Sequence, residues 1–148
     1  MLKLAAEWRR CGETIAFTNG VFDLTLHPGH IYLLESAAQL ADRLVVGVNG
    51  DASARRLGKG PGRPRLPEQT RAANVAAQDM VDMVLIFNEP TPRELLSELR
   101  PDFLVKGDEY RPEEVAGREY AGRVVLIPRL KGYSTTSLDE KFSAEGGV

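Results

Sequence analysis

Apolar and polar positions alternate along the chain with two different periods. Residues 2–10 place their apolar side chains on one stripe, which predicts a short amphipathic helix. The run Thr-Ile-Ala-Phe-Thr-Asn-Gly-Val-Phe-Asp, from Thr14 to Asp23, is nearly continuous in apolar character and predicts a buried first strand that runs into a glycine turn. Ile31, Leu33, Leu34, Ala37, Ala38 and Leu40 then recur at helical spacing, in a helix that begins near Gly29 or His30. Further on, the pattern predicts a second strand over Arg43 to Asn49, a short helix from Asp51 to about Leu57, and a longer one over Glu68 to Ala77. A third strand follows from Val81 to Phe87, then a helix opened by Pro92 and ending near Leu99, a fourth strand from Phe103 to Val105 and a fifth from Val124 to Ile127. Strands alternating with helices define an α/β protein with a mostly parallel, five-stranded sheet and helices on both faces.

Composition changes this picture little. The 148 residues suffice for one domain, 1–148, with a sizeable core, and 43% hydrophobic with 27% charged residues is ordinary for a globular protein. A net charge of −2 gives no reason to expect nucleic-acid or anionic-membrane partners, so any phosphate site must be built from local cations. One cysteine, Cys11, excludes an internal disulfide and a cysteine-based zinc site. The N-terminus has no secretory apolar region and no run approaches the roughly 18 residues of a membrane span, so a cytoplasmic location is expected.

The chemistry concentrates around the only two histidines, which share the window His27-Pro28-Gly29-His30. A helix opening at Gly29 presents unpaired N–H groups and the positive end of its dipole to the preceding loop, which favours an anion there. Two imidazoles three residues apart in that first turn can face the same anion and stabilise charge that builds on a phosphorus in its transition state. Other marked residues fall where parallel strands end, the usual ligand side of such sheets: Asn19 to His30, Asn49 to Asp51, Lys106 to Tyr110 and Arg129 to Thr136. The stretch Gly58-Lys59-Gly60-Pro61-Gly62-Arg63-Pro64 is either a solvated surface loop or a glycine-rich loop that closes over phosphates with Lys59 and Arg63. Ser134-Thr135-Thr136 reads as a helix N-cap, a geometry compatible with phosphate binding. Asp23 and Asp51 read as loop-organising or nucleotide-contacting residues rather than as a metal pair.

The motifs Thr18-Asn19-Gly20-Val21-Phe22-Asp23, His27 to His30, Val46-Gly47-Val48-Asn49-Gly50-Asp51, Arg63-Pro64, Val105-Lys106-Gly107 with Tyr110, and Gly132-Tyr133-Ser134-Thr135-Thr136 resemble, in that order, the HxGH nucleotidyltransferases. Among these the chain is most similar to the heptose 1-phosphate adenylyltransferases, while Pro128-Arg129 before Gly132 looks more like the glycerol-3-phosphate cytidylyltransferases. The resemblance implies a Rossmann-like fold, a homodimer, and transfer of AMP from ATP to a sugar 1-phosphate with Mg²⁺ carried on the nucleotide. It further implies catalytic roles for His27, His30, Lys59 and Arg129. Nucleotide contacts are implied at Thr18, Asn19, Gly20, Val21, Phe22, Asp23, Gly29, Asn49, Asp51, Arg71, Lys106, Ser134, Thr135 and Thr136. Arg63, Asp108, Glu109 and Tyr110, aided by Lys106, would meet the acceptor; Arg71, three residues after Glu68, also reads as an ordinary solvated or paired helix residue.

Three departures border these pockets. Leu24-Thr25-Leu26 makes the loop before His27 one residue longer than in the sugar-phosphate enzymes, Gly58 separates Leu57 from Lys59, and Asp108-Glu109 stands where Gly-Asp is usual. They leave open a cytidylyltransferase acting on an alcohol phosphate, and a noncatalytic nucleotide-binding module.

Overall fold

A computed structural model describes residues 2–23, 26–58 and 62–128. The elements follow the predicted alternation: α1 (Lys3–Arg10), β1 (Ile15–Gly20), α2 (Pro28–Ala38), β2 (Arg43–Asn49), α3 (Asp51–Arg56), α4 (Glu68–Ala76), β3 (Met83–Phe87), α5 (Arg93–Leu99), β4 (Phe103–Gly107) and β5 (Arg123–Ile127). All pairings in the sheet are parallel, in the order β3-β2-β1-β4-β5. The first strand is shorter than its apolar run: it stops at Gly20, and Val21, Phe22 and Asp23 form a connection. Two 3-10 turns, Pro112–Glu114 and Arg118–Tyr120, fill the link from β4 to β5, where no periodic pattern predicted structure.

Alternation along the strands divides the core between two faces. Phe17, Val45, Leu85 and Leu104 pack with Trp8 of α1 and with Leu96 and Leu99 of α5. Ala16, Val46, Val48 and Val105 pack on the other face with Leu34 and Ala37 of α2 and Val75 of α4. Strands covered on both sides must be apolar throughout, which is why the β2 sequence reads as an uninterrupted hydrophobic run.

The two ends of the sheet differ in purpose. At the amino end, three aspartates pin strand backbones: Asp42 Oδ2 accepts from Thr14 N, Asp102 Oδ2 from Ile15 N and Asp82 Oδ2 from Leu44 N, each at 2.8 Å. At the carboxyl end the sheet opens. β1 stays paired with β2 as far as Gly20 and Val48, whereas its pairing with β4 ends at Phe17 and Leu104. The chain winds outward from β1 in one direction through β2 and β3, then returns to its other side as β4. The gap above β1 and β4 is therefore the topological switch point, where such sheets hold ligands.

Candidate active site

A cleft of about 530 Å³ occupies that switch point. Its wall is built from the strand ends and the connections they feed. β1 and its continuation contribute Asn19, Gly20, Val21, Phe22 and Asp23, β2 contributes Asn49, and the β4 end contributes Lys106, Gly107, Glu109 and Tyr110. His30 from α2 and Arg63 from the segment before α4 complete the polar side, while Leu33, Leu57, Pro90 and Pro92 supply apolar wall.

Helix α2 starts without a Ser, Thr, Asp or Asn cap. His27 takes that place: its backbone is extended and its Nδ1 accepts the Gly29 N–H at 3.0 Å, while Pro28 occupies the first helical position, where a missing N–H costs nothing. This hydrogen bond assigns the tautomer. With Nδ1 an acceptor, the neutral ring holds its proton on Nε2. That Nε2 is buried and has no hydrogen-bond partner among the described residues, although such a donor normally finds one. The His30 ring lies against His27, centroids 3.8 Å apart and planes 26° from parallel, and the Phe22 ring meets His30 edge-on at 5.5 Å. His30 thus lines the cleft with His27 stacked behind it.

Phe22 has a φ of 52°, a left-handed conformation unfavourable for an aromatic residue by roughly 1–3 kcal/mol. Burial of its ring, 4% exposed, holds it there.

Burial lowers the pKa of His27 from the ordinary 6.5 by penalising the charged ring. Protonation at Nδ1 would also break the bond from Gly29. Since the unfolded ring takes up a proton more readily than the folded one, stability from neutral His27 is complete above pH 6.5 and declines as pH falls toward the lower folded-state value. Urea midpoints measured across this window should rise with pH, with the slope flattened in H27Q.

On the far side of the switch point, Lys106 Nζ stands 3.3 Å from Asn19 Oδ1, 3.4 Å from Asn19 O, and 4.7 Å from the centroid of the Tyr110 ring. Burial, then the negative charge of Glu109, raises the Tyr110 pKa, so its hydroxyl remains a donor at neutral pH. Asp23 organises the Arg63 segment: its carboxylate accepts from Arg65 N at 2.8 Å and Leu66 N at 3.0 Å, and lies 3.7 Å from Arg63 Nη1.

Several residues expected to meet the nucleotide or the acceptor are not part of the cleft wall. Thr18 is fully buried within β1 and outside the cleft wall. Gly29 contributes through its N–H to His27. Arg71, expected at a nucleotide phosphate, is 0% exposed and donates to Leu66 O, Val21 O, Asn49 O and Asp51 Oδ1. Its charge is met by Asp51 at 2.7 Å. Asp108 is exposed and not part of the wall that Glu109 and Tyr110 line. Lys59, Arg129, Ser134, Thr135 and Thr136 lie outside the described residues.

Sequence reasoning missed the Pro90-Thr91-Pro92 wall, although paired prolines just beyond a strand end are a legible turn signal. It also missed Ser53, fully buried, whose hydroxyl links Asn49 Nδ2 at 3.0 Å to Glu89 O at 2.7 Å and so holds the β2 end. Among the described residues no three His, Cys, Asp or Glu side chains gather as a metal site, and no helix is long and apolar enough to cross a membrane.

A parallel sheet with its cleft at the switch point, and a histidine pair at the opening of the first crossover helix, define a nucleotide-handling α/β fold. The cytidylyltransferase-like family model matches residues 17–141, and the chain belongs to that family of nucleotidyltransferases. It is 53% identical over 137 residues to the bifunctional protein HldE of Syntrophotalea carbinolica, covering 90% of this chain and 28% of that protein. The bifunctional protein HldE of Magnetococcus marinus is 49% identical over 144 residues, 95% of this chain and 29% of the relative. The chain thus spans somewhat more than a quarter of the length of these relatives. Among solved structures, the lipopolysaccharide core biosynthesis protein of Thermoplasma volcanium superposes with a TM-score of 0.65 at 29% identity, over 83% of this chain and all 100% of that one. Pantothenate synthetase of Thermus thermophilus, at a TM-score of 0.52 and 17% identity, over 97% of this chain and 75% of that one, shares the fold alone.

Proposed function

We propose that the chain transfers AMP from MgATP to a sugar 1-phosphate, a heptose 1-phosphate, releasing pyrophosphate and forming an ADP-sugar for lipopolysaccharide-core synthesis. A phosphate oxygen of the sugar attacks the α-phosphorus in line, a new P–O bond forms, and the bond from the α-phosphorus to the bridging oxygen of pyrophosphate breaks. The attacking oxygen is already ionised near pH 7, so no strong base is needed. Both reactants are anions, and catalysis consists of positioning and charge neutralisation. The ion enters with the triphosphate as part of the substrate.

The observation that supports this reading best is the buried, unpartnered Nε2–H of His27 beside His30 at the opening of α2. A buried donor left without an acceptor is unfavourable by about 1–3 kcal/mol, and an incoming phosphate oxygen relieves that penalty. In this reading the imidazole pair and the first turn of α2 meet the α-phosphate, with Asn19 to Phe22 and Asn49 along the nucleotide. Arg63 and Lys106 supply positive charge, and Glu109 and Tyr110 offer the acceptor an oxygen acceptor and a hydroxyl donor for its hydroxyl groups. The roles of Lys59, Arg129 and Ser134 to Thr136, and a homodimeric assembly, rest on the resemblance of the motifs. The relatives named HldE and the lipopolysaccharide core biosynthesis protein favour the sugar-phosphate acceptor.

The family description and the Pro128-Arg129 run keep CTP as the competing donor. Pyrophosphate release measured across nucleoside triphosphates, with heptose 1-phosphate and glycerol 3-phosphate as acceptors, separates the two. Turnover with ATP and the sugar phosphate is expected. Turnover with CTP alone contradicts the proposal, as does saturable nucleotide binding without turnover of any acceptor.

A further inference from the structure

Arg71 is the largest fully buried side chain among the described residues. Burying a permanent cation is unfavourable unless its charge and its N–H groups are met, so its partners indicate why it is there. Nη1 donates to Val21 O at 2.8 Å and to Asn49 O at 2.5 Å, Nε to Leu66 O at 2.9 Å, and Nη2 to Asp51 Oδ1 at 2.7 Å. Each partner belongs to a segment bordering the cleft. Val21 begins the connection that leads to His27, Asn49 ends β2, and Leu66 follows Arg63. One helical turn before Arg71, Glu68 Oε1 accepts from Asp51 N at 2.9 Å, so α4 grips the opening of α3 twice. Leu66 is also held twice: its carbonyl by Arg71 and its N–H by Asp23. Val21 to Asp23, Leu66 and Arg71 therefore close a ring that joins the histidine-bearing connection to the Arg63 segment.

We propose that Arg71 is a positioning residue for nucleotidyl transfer, a buried fork that sets the imidazole pair at a fixed distance from Arg63. The proposal rests on the transfer reaction described above and adds to it a group that never touches substrate. A planar guanidinium with donors in fixed directions can hold four acceptors on three segments, which a single ammonium cannot. Were Arg71 to leave these partners for a phosphate, the buried Asn49 carbonyl and the part-buried carbonyls of Val21 and Leu66 would lose this donor.

The test is R71K in the full chain, with steady-state kinetics beside nitrogen-15 imidazole spectra, which the presence of only two histidines makes directly readable. Melting curves establish that the variant is folded. We expect kcat to fall roughly 10²-fold, as for a displacement of about 1 Å at the reacting centre, with KM for the nucleotide changing less than about threefold. The His27 resonances should depart from the Nε2–H pattern, with their titration midpoint moving toward 6.5. A KM raised tenfold or more at unchanged kcat, with the imidazole spectrum intact, overturns the proposal and makes Arg71 a nucleotide ligand. Loss of activity only in proportion to the unfolded fraction, again with an intact spectrum, overturns it in favour of a scaffold role. If R71K does not fold, D23N opens the same ring from its other side and is read identically. A wild-type protein that turns over no acceptor defeats the reaction assignment alone, because the spectral comparison still decides whether Arg71 sets the imidazoles.

Discussion

Replacing His27 by glutamine is expected to lower kcat by about 10²-fold or more, with H30Q falling to a similar extent. The reasoning starts from the Nε2–H of His27, buried without a partner and fixed in that tautomer by the Gly29 N–H. A donor whose tautomer is already fixed needs no proton rearrangement when charge builds on the phosphorus, and a single such donor is worth roughly 10²- to 10³-fold in turnover. Glutamine keeps an amide donor but not the ring that stacks 3.8 Å from His30. Loss of the helix cap is a separate and smaller matter of about 1 kcal/mol, so the variant remains folded. Because the rings act as a stacked unit, the double variant should lose far less than the product of the single losses. Initial rates of pyrophosphate release for the two singles and the double check all of this; wild-type turnover in either single variant would remove the basis of the proposed mechanism.

Phe17→Ala is expected to destabilise the fold by about 3–5 kcal/mol, a large share of the roughly 5–15 kcal/mol that holds a domain of ordinary stability. Phe17 is 0% exposed in the central strand, opposite Val45 on one side and Leu104 on the other. Its ring lies over Gly47, where a Cβ would stand 2.7 Å from Phe17 Cζ. No side chain at that position can swing in to fill the space left by the ring. Two residues further along, Asn19 enters the cleft, so the strand supporting the site loses its packing as well. Urea unfolding should show a lower midpoint at unchanged slope, while Leu4→Ala, at a position 45% exposed, stays within about 0.5 kcal/mol of wild type.

How much of this was legible in the sequence depended on whether a signal was local. The β2 boundaries, Arg43–Asn49, follow from a continuous apolar run that only a doubly covered strand requires. The end of β1 was legible from the glycine turn at Gly20, although Val21 and Phe22 are as apolar as the strand before them, and nothing in the one-dimensional pattern marks the left-handed backbone at Phe22. The histidine window was legible because both rings lie within one helical turn. Arg71 was not, since a buried arginine with four acceptors and an exposed one beside Glu68 look alike in sequence; only the convergence of Val21, Asn49, Leu66 and Asp51 distinguishes them. Asp23 was legible as a loop organiser, though its partners at Arg65 and Leu66 are some forty positions away.

The most direct measurement is a crystal structure of the chain with a non-hydrolysable ATP analogue and Mg²⁺. The proposed mechanism predicts a non-bridging α-phosphate oxygen at about 2.7–3.2 Å from His27 Nε2, with His30 against the same phosphate and the base over the switch point. An α-phosphate bound away from both imidazoles, with His27 Nε2 still lacking an acceptor, would contradict it.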